Sequence, residues 1–220
     1  MNDEEFRRLK ALCGRIEEEQ NENLLVPLVN ELNQLLQMPG AQVDSFAAES
    51  KLNCESHRPG YSPGTLDGRY KQIVDSAVAL MRSDYASLQM LFPERGVGGE
   101  LLLLAFRGFN PQAAGFWEWV CADSKSTCGV ALRTIQRVVA PDIAACDFMA
   151  DSEDQQVYLQ TGIRACQTTP LITGAGNVVG MISAHWRTPH QPSEDDFRHF
   201  DILAGQAAEL IEHRRRVEQA

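Results

Sequence analysis

Basic surface is what this chain most plainly lacks. Twenty Lys and Arg against 30 Asp and Glu leave a net charge of -10 over 220 residues, with a pI near 5.0. Nucleic-acid binding draws on clustered cations that neutralise phosphates, and no such cluster interrupts the acidic background. The run Arg214-Arg215-Arg216 sits near the end of a predicted helix, where cations complement the helix dipole, and reads as a solvated helix end. Long apolar runs are missing too: none approaches the roughly 18 residues that a membrane-spanning helix needs. The opening MNDEEF is acidic where a signal peptide would be basic. The expectation is a cytoplasmic protein without a membrane or nucleic-acid partner. Cysteine occurs six times, but with no CxxC pair and no regular spacing, so reduced thiols are expected and not a disulfide frame. Cys54 and His57 have the spacing of one edge of a metal site, yet no second pair accompanies them, and they read as an incidental loop pair. No metal site is expected, and no cofactor is named by the residues.

What is present is strong periodicity. Phe6, Leu9, Leu12 and Ile16, then Leu25, Leu28, Leu32 and Leu35, recur at helical spacing. They predict two short amphipathic helices over residues 1–37, too short for a coiled coil and in need of a partner surface. Over residues 38–66 the period fades and Pro-Gly pairs at Pro39, Pro59 and Pro63 mark a linker. A folded domain is expected over 67–214, with 215–220 as the helix end and tail.

Within that domain a helix begins near Gly68 and ends before Asp84, carrying Ile73, Ala77, Leu80 and Met81 on one stripe. SLQMLF from Ser87 and ELLLLAFR from Glu100 make a hairpin, the leucine run suiting a strand covered on both faces. A small helix is predicted from about Ser126 to Thr134, then a short strand from Val138 that Pro141 confines to an edge or end. Gln155 to Thr161 is weakly helical. CQTTPLIT from Cys166 and VVGMISAHW from Val178 flank the turn Gly174-Ala175-Gly176-Asn177 as a second hairpin. Ser193 caps a long last helix with acids in its first turn and a broad apolar face that includes Phe197, Phe200, Ile202, Leu203, Leu210 and Ile211. Helices at both ends of a strand-rich middle give an α+β class, an antiparallel sheet of five or six strands with helices on both sides.

Alternation in the last strand puts Met181, Ser183 and His185 on one face and Ile182, Ala184 and Trp186 on the other. The first face is polar enough to line a cavity.

The blocks SLQMLFPERG from Ser87, AFRGF from Ala105, STCGVALRT from Ser126, RVVAPDI from Arg137, GIRACQTTPLI from Gly162 and VVGMISAHWRTPHQPSEDD from Val178 together resemble GAF domains of bacterial signalling proteins. The resemblance implies the antiparallel sheet, helices on one face that commonly form a parallel homodimer, and a small-molecule pocket on the other. It leaves the ligand unnamed. The chain has no NKxnFDE-like sequence of cyclic-nucleotide-binding members and no Cys-His dipeptide of bilin-attaching ones. No kinase, phosphatase, cyclase or DNA-binding block accompanies the domain, so output falls to a signalling partner protein or to rearrangement of the oligomer.

The resemblance places the first and last strands side by side, so that Ser87, Gln89, Gln167, Thr169, Ser183 and His185 converge beneath Trp117 and Trp119. Such a set either fixes a small polar or planar ligand or satisfies itself and buried water within a filled core. His185 and the two tryptophans are open to the same choice between ligand contact and packing. Cys121, Cys128 and Cys146 carry a rival reading. They fall where free methionine-R-sulfoxide reductases, an enzymatic branch of the family, hold nucleophilic and resolving thiols. Non-catalytic sensing is the leading expectation; sulfoxide reduction and a thiol-based redox sensor without turnover are the alternatives.

Overall fold

Local alternation resolves into a six-stranded antiparallel sheet in the computed structural model, which describes residues 68–218. The chain order is α1 (Gly68–Met81), β1 (Tyr85–Phe92), β2 (Glu100–Arg107), α2 (Pro111–Phe116), β3 (Trp119–Cys121), α3 (Thr127–Thr134), β4 (Val138–Ala140), α4 (Glu153–Gln160), β5 (Ala165–Ile172), β6 (Val178–Trp186) and α5 (Glu194–Glu218). Two 3-10 turns, Ile143–Ala145 and Asp147–Met149, join β4 to α4. The two amino-terminal helices, the linker and the Cys54–His57 pair of the sequence reading lie outside the described residues.

Across the sheet the order is β3-β2-β1-β6-β5-β4, with every pairing antiparallel. The first and last strands are thus central neighbours, and β4 is the edge strand that Pro141 required. Two elements escaped the sequence reading. The turn-long α2 is started by Asn110, whose side chain accepts from Ala113 N at 2.8 Å, with Pro111 at the first helical position. The three-residue β3 is too short to show a period.

Each sheet face has its own core. On one, α1 and α5 pack on Leu88, Met90, Leu102, Leu104, Ile182, Ala184 and Trp186. The helix α1 buries Tyr70, Val74, Ala77 and Met81 at helical intervals, and α5 buries Phe200, Leu203, Ala207 and Ile211. Each fully buried Leu or Ile contributes about 1.5–3 kcal/mol. The cap of α5 is as expected: Asp196 N donates to Ser193 Oγ at 3.2 Å while Ser193 N donates back to the Asp196 carboxylate at 2.9 Å. Two residues depart from the expected faces. Leu80 is 42 % exposed, because α1 turns Tyr70, Val74, Ala77 and Met81 to the sheet instead. Ile202 is 64 % exposed, because the apolar stripe as read was wider than the strip of α5 that meets the sheet.

The opposite face carries α2, α3, α4 and the 3-10 turns over Leu101, Cys166, Met181 and their neighbours. Close approach is permitted here by two glycines. A Cβ at Gly180 would stand 2.0 Å from the Gln89 carbonyl oxygen, and one at Gly129 2.4 Å from that of Ser124. Gly180 therefore lets β6 lie against β1, and Gly129 seats the start of α3 on the preceding loop.

Candidate functional site

The register of the three central strands decides which side chains meet on the second face. Tyr85 lies opposite His185, Ser87 opposite Ser183 and Gln89 opposite Met181; Cys166 lies opposite His185 and Thr168 opposite Ser183. Paired residues share a face, so Tyr85, Ser87, Gln89, Cys166, Thr168, Ser183 and His185 form one floor. Of the sequence candidates, Ser87, Gln89, Ser183 and His185 are brought together as expected.

Gln167 and Thr169 are not, and this corrects the sequence reading. They pair with Ala184 and Ile182 and turn to the α5 side, where Gln167 Nε2 donates to Thr169 Oγ1. Thr169 also accepts from Arg137 Nε at 3.1 Å. CQTT offers polar residues in both phases of the strand, so composition could not choose between them. Register could, and it selects Cys166 and Thr168.

Trp119 is a second correction. It pairs with Leu102 and packs edge-on against Phe92 at 5.4 Å, with the Arg95 guanidinium 4.1 Å above its ring. That places it with the α1/α5 core. Trp117 alone roofs the floor, because it terminates α2 and so does not share the strand phase of Trp119. Its ring lies 4.5 Å from Tyr158, 5.3 Å from Phe109 and 5.7 Å from Phe116. Two long hydrogen bonds hold it: its carbonyl accepts from Gln89 Nε2 at 3.5 Å, and its Nε1 donates to Asp154 Oδ1 at 3.4 Å.

Between floor and roof runs a neutral hydroxyl and thiol network. Thr168 Oγ1 donates to Thr127 Oγ1 at 2.8 Å and is hydrogen-bonded with Ser183 Oγ at 2.8 Å. Ser183 meets Cys128 Sγ at 3.4 Å, while Thr127 meets Cys166 Sγ at 3.0 Å and the Tyr158 hydroxyl at 3.3 Å. Thr127 and Cys128 reach the network because Ser126 caps α3, accepting from Gly129 N at 3.2 Å, which aims the first turn of the helix at the sheet. Thr127, Tyr158, Cys166, Thr168, Phe109 and Asp154 were missed as site residues. For Thr127 the one signal was its place behind a Ser cap; the others carry none that a linear reading detects.

Electrostatics follow from burial. His185 is 2 % exposed, and neither Nδ1 nor Nε2 has a hydrogen-bond partner; desolvation pushes its pKa down to about 3, so the imidazole is neutral. It lies 5.4 Å from the Phe109 ring and 6.0 Å from that of Tyr158. Gln89 Oε1 is likewise buried and unpartnered. Burial, with Cys128 as a neighbour, pushes the Cys166 thiol up to about 12. Burial also raises Cys128 and raises Tyr158 well above the phenol value. Asp154 is raised by burial too, although Ser124 Oγ and Lys125 N each donate to its Oδ2 at 3.0 Å.

The cysteines do not cluster as the rival reading required. Cys128 shares the site with Cys166, while Cys146 lies between the 3-10 turns, its sulfur facing the amides of Phe148 and Met149. Cys121 lies apart from them on the half-exposed edge strand β3. Among the described residues no group of three His, Cys, Asp or Glu could hold a metal ion, and no helix is long and apolar enough to cross a membrane.

A family model described as GAF domain matches residues 64–212. Solved structures with a similar fold include the GAF domain of a two-component sensor histidine kinase from Bacillus halodurans, with TM-score 0.55 and 18 % identity over 70 % of this chain and 98 % of that one. The GAF domain of a phosphoenolpyruvate-protein phosphotransferase from Acinetobacter aligns with TM-score 0.53 and 13 % identity over 100 % of both chains. Type II free methionine-R-sulfoxide reductase from Thermoplasma acidophilum aligns with TM-score 0.50 and 15 % identity over 67 % of this chain and 95 % of that one. At these identities the structural likenesses carry the fold alone. No curated protein matches the chain.

Proposed function

Because the chain belongs to the GAF domain family, we propose that it is a non-catalytic sensory module, cytoplasmic, that binds a small molecule between β1, β5 and β6 and the Trp117 roof. One observation carries this reading: the imidazole of His185 and the amide oxygen of Gln89 are buried on a polar sheet face with no partner. A buried polar group left unsatisfied costs about 1–3 kcal/mol, and a ligand that hydrogen-bonds to it recovers that energy. Trp117 N is held to Ala113 O at 3.0 Å, while the two bonds that tie the roof to the rest of the site are long, which suits a part that moves on binding.

Output through a second copy has its own support. Ile202 and Val217 on α5 are 64 % and 63 % exposed and lie about 60° apart around the helix axis, on a side that also carries the exposed Gln206 and His213 and that another α5 would cover. A ligand shifts such packing only if it binds two arrangements with different affinity. The reductase alternative has less support, since it needs a thiolate with a resolving partner, and burial keeps Cys128 and Cys166 protonated.

Native mass spectrometry of freshly purified full-length protein, with its absorption spectrum, tests the reading. The expected result is a dimer carrying a releasable small molecule, lost on Trp117→Ala. A bare monomer whose mass and melting temperature no metabolite changes overturns it. Thioredoxin-coupled turnover of free methionine-R-sulfoxide that Cys128→Ser abolishes replaces it with the enzyme.

A further inference from the structure

The edge strand β4 belongs to both sides of the sheet. Val138 lies opposite Thr168 and Ala140 opposite Cys166, so its body continues the polar floor. Its two ends turn the other way. Just before it, Arg137 crosses the edge toward α5: Nε donates to Thr169 Oγ1 at 3.1 Å, Nη2 donates to the Asp201 carboxylate, and the guanidinium lies 4.4 Å over the Phe197 ring. Just after it, the Pro141 carbonyl accepts from His190 N at 2.9 Å, in the lead-in to α5. A planar guanidinium that donates from two nitrogens and stacks on a ring is fixed in orientation as an ammonium would not be. The Arg137 side chain is accordingly only 25 % exposed, although that of Asp201 is 54 % exposed.

Toward α3, Arg137 is separated from the helix by Ile135 and Gln136 alone. Helix α3 starts with Thr127 and Cys128 in the hydroxyl and thiol network and is closed by Ile135, which adopts φ 53° and ψ 35°. A β-branched residue in the left-handed region is strained, where glycine would sit freely. Packing does not account for the choice, since Ile135 is 53 % exposed. Strain kept without burial points to a functional constraint, and the constraint here is mechanical. Glycine would make the joint between α3 and β4 a free hinge, whereas isoleucine confines its φ and ψ to one narrow well. A displacement of α3 therefore carries Arg137 with it.

We propose that residues 135–141 form a strap that passes movement of α3 to the first half of α5, with Ile135 as its rigid joint and Arg137 as its hook on Asp201 and Phe197. The strap deepens the sensory reading and rests on it: whatever disturbs the network at Thr127 and Cys128 alters how firmly the start of α5 is held. The second half of α5 has moorings of its own and stays in place, because Gly174 N donates to Glu209 at 3.2 Å and Arg215 donates to the Leu91 carbonyl.

Amide hydrogen exchange of the full chain, followed by NMR, tests the strap without any ligand. Thr127→Val keeps the volume of the side chain and removes the hydroxyl that holds the start of α3 to the floor. Exchange at residues 202–205, in the first half of α5, should then accelerate about fivefold more than at residues 207–211, which report any global loss of stability. Equal acceleration of both halves, or none in either, overturns the strap. In an Arg137→Gln background, and likewise in Asp201→Asn, Thr127→Val should add less than about twofold to that difference. An undiminished difference in both backgrounds means that the disturbance reaches α5 by another way, and it overturns the hook. Ile135→Gly should raise the melting temperature by relieving strain and yet suppress the effect of Thr127→Val on α5, which a purely structural role would not do. A difference that persists in Ile135→Gly overturns the joint. Since no ligand enters the experiment, failure here strikes the strap and leaves the sensory reading to native mass spectrometry.

Discussion

One strand, β6, supplies both cores of the domain and treats them differently. Its residues Ile182, Ala184 and Trp186 face α1 and α5 in an apolar layer, where the single polar indole atom donates to Met81 O at 3.3 Å. Its residues Met181, Ser183 and His185 face α3 and α4 in a layer that mixes apolar side chains with a hydroxyl and thiol network and an imidazole that goes unsatisfied. The two sets interleave residue by residue, so they share backbone, register and fold. What separates them is what each face is for. Each face leaves one amide oxygen without a partner, that of Gln167 on the α5 side and that of Gln89 on the other, but only the second face adds an imidazole with neither nitrogen bonded, at a cost of about 1–3 kcal/mol for each such group, and an inconsistency of that kind marks a site.

The contrast can be broken from the stable side first. Phe200→Ala should cost about 3–5 kcal/mol, since the ring is wholly buried against the sheet. Urea unfolding reads this as a lower midpoint at unchanged slope; a loss under 1 kcal/mol would mean that the α5 face is not the main source of stability. On the polar side, Thr168→Val should cost about 1–3 kcal/mol by removing the hydroxyl that bonds both Thr127 and Ser183 and leaving them to their weaker partners. It should also shift the His185 ring signals, whereas Thr169→Val, one residue on but across the sheet, leaves them in place. Equal shifts from both variants would show that the two faces are not separable.

A pH series sharpens the same comparison. Folding lowers the pKa of His185 from 6.5 to about 3, so on acidification the unfolded chain takes the proton first. Its contribution is full above pH 6.5 and is lost as pH falls toward 3, by at most about 1.4 kcal/mol per pH unit. Cys166 and Tyr158 face the ring but titrate far above this window. Asp154, raised by burial, acts with the opposite sign near the carboxylate range. Unfolding midpoints between about pH 7 and pH 5 therefore isolate the histidine, and His185→Phe should flatten that slope. A slope that survives the substitution assigns it to other groups. The smallest effect is expected at Ile202→Ala, within about 0.5 kcal/mol of monomer stability, with self-association weakened in sedimentation. Unaltered association would remove this side of α5 as an interface.

Legibility in the sequence followed physical range. Helix α1, the hairpins, the helix start at Ser126, the Ser193 cap and the edge position of β4 were all readable, because each depends on neighbours within one or two turns of chain. Ser87, Gln89, Ser183 and His185 were readable as one face because β1 and β6 each have a single polar phase. The Gln167 and Thr169 assignment failed because β5 has two. Trp119 failed because the chain changes from helix end to strand between it and Trp117, which no spacing rule reports. Asp154, Tyr158 and Phe109 arrive from elements 30 or more residues away from their partners or on irregular loops, and only packing brings them in.

The sequence by itself determined the order of elements, the family and the apolar stripes, since periods of 2 and 3.6 residues are properties of the local backbone. Tertiary structure decided which phase of β5 faces the site, which tryptophan roofs it, and that its imidazole and thiols are neutral. Those outcomes depend on strand register and desolvation, and both are set by residues far away along the chain.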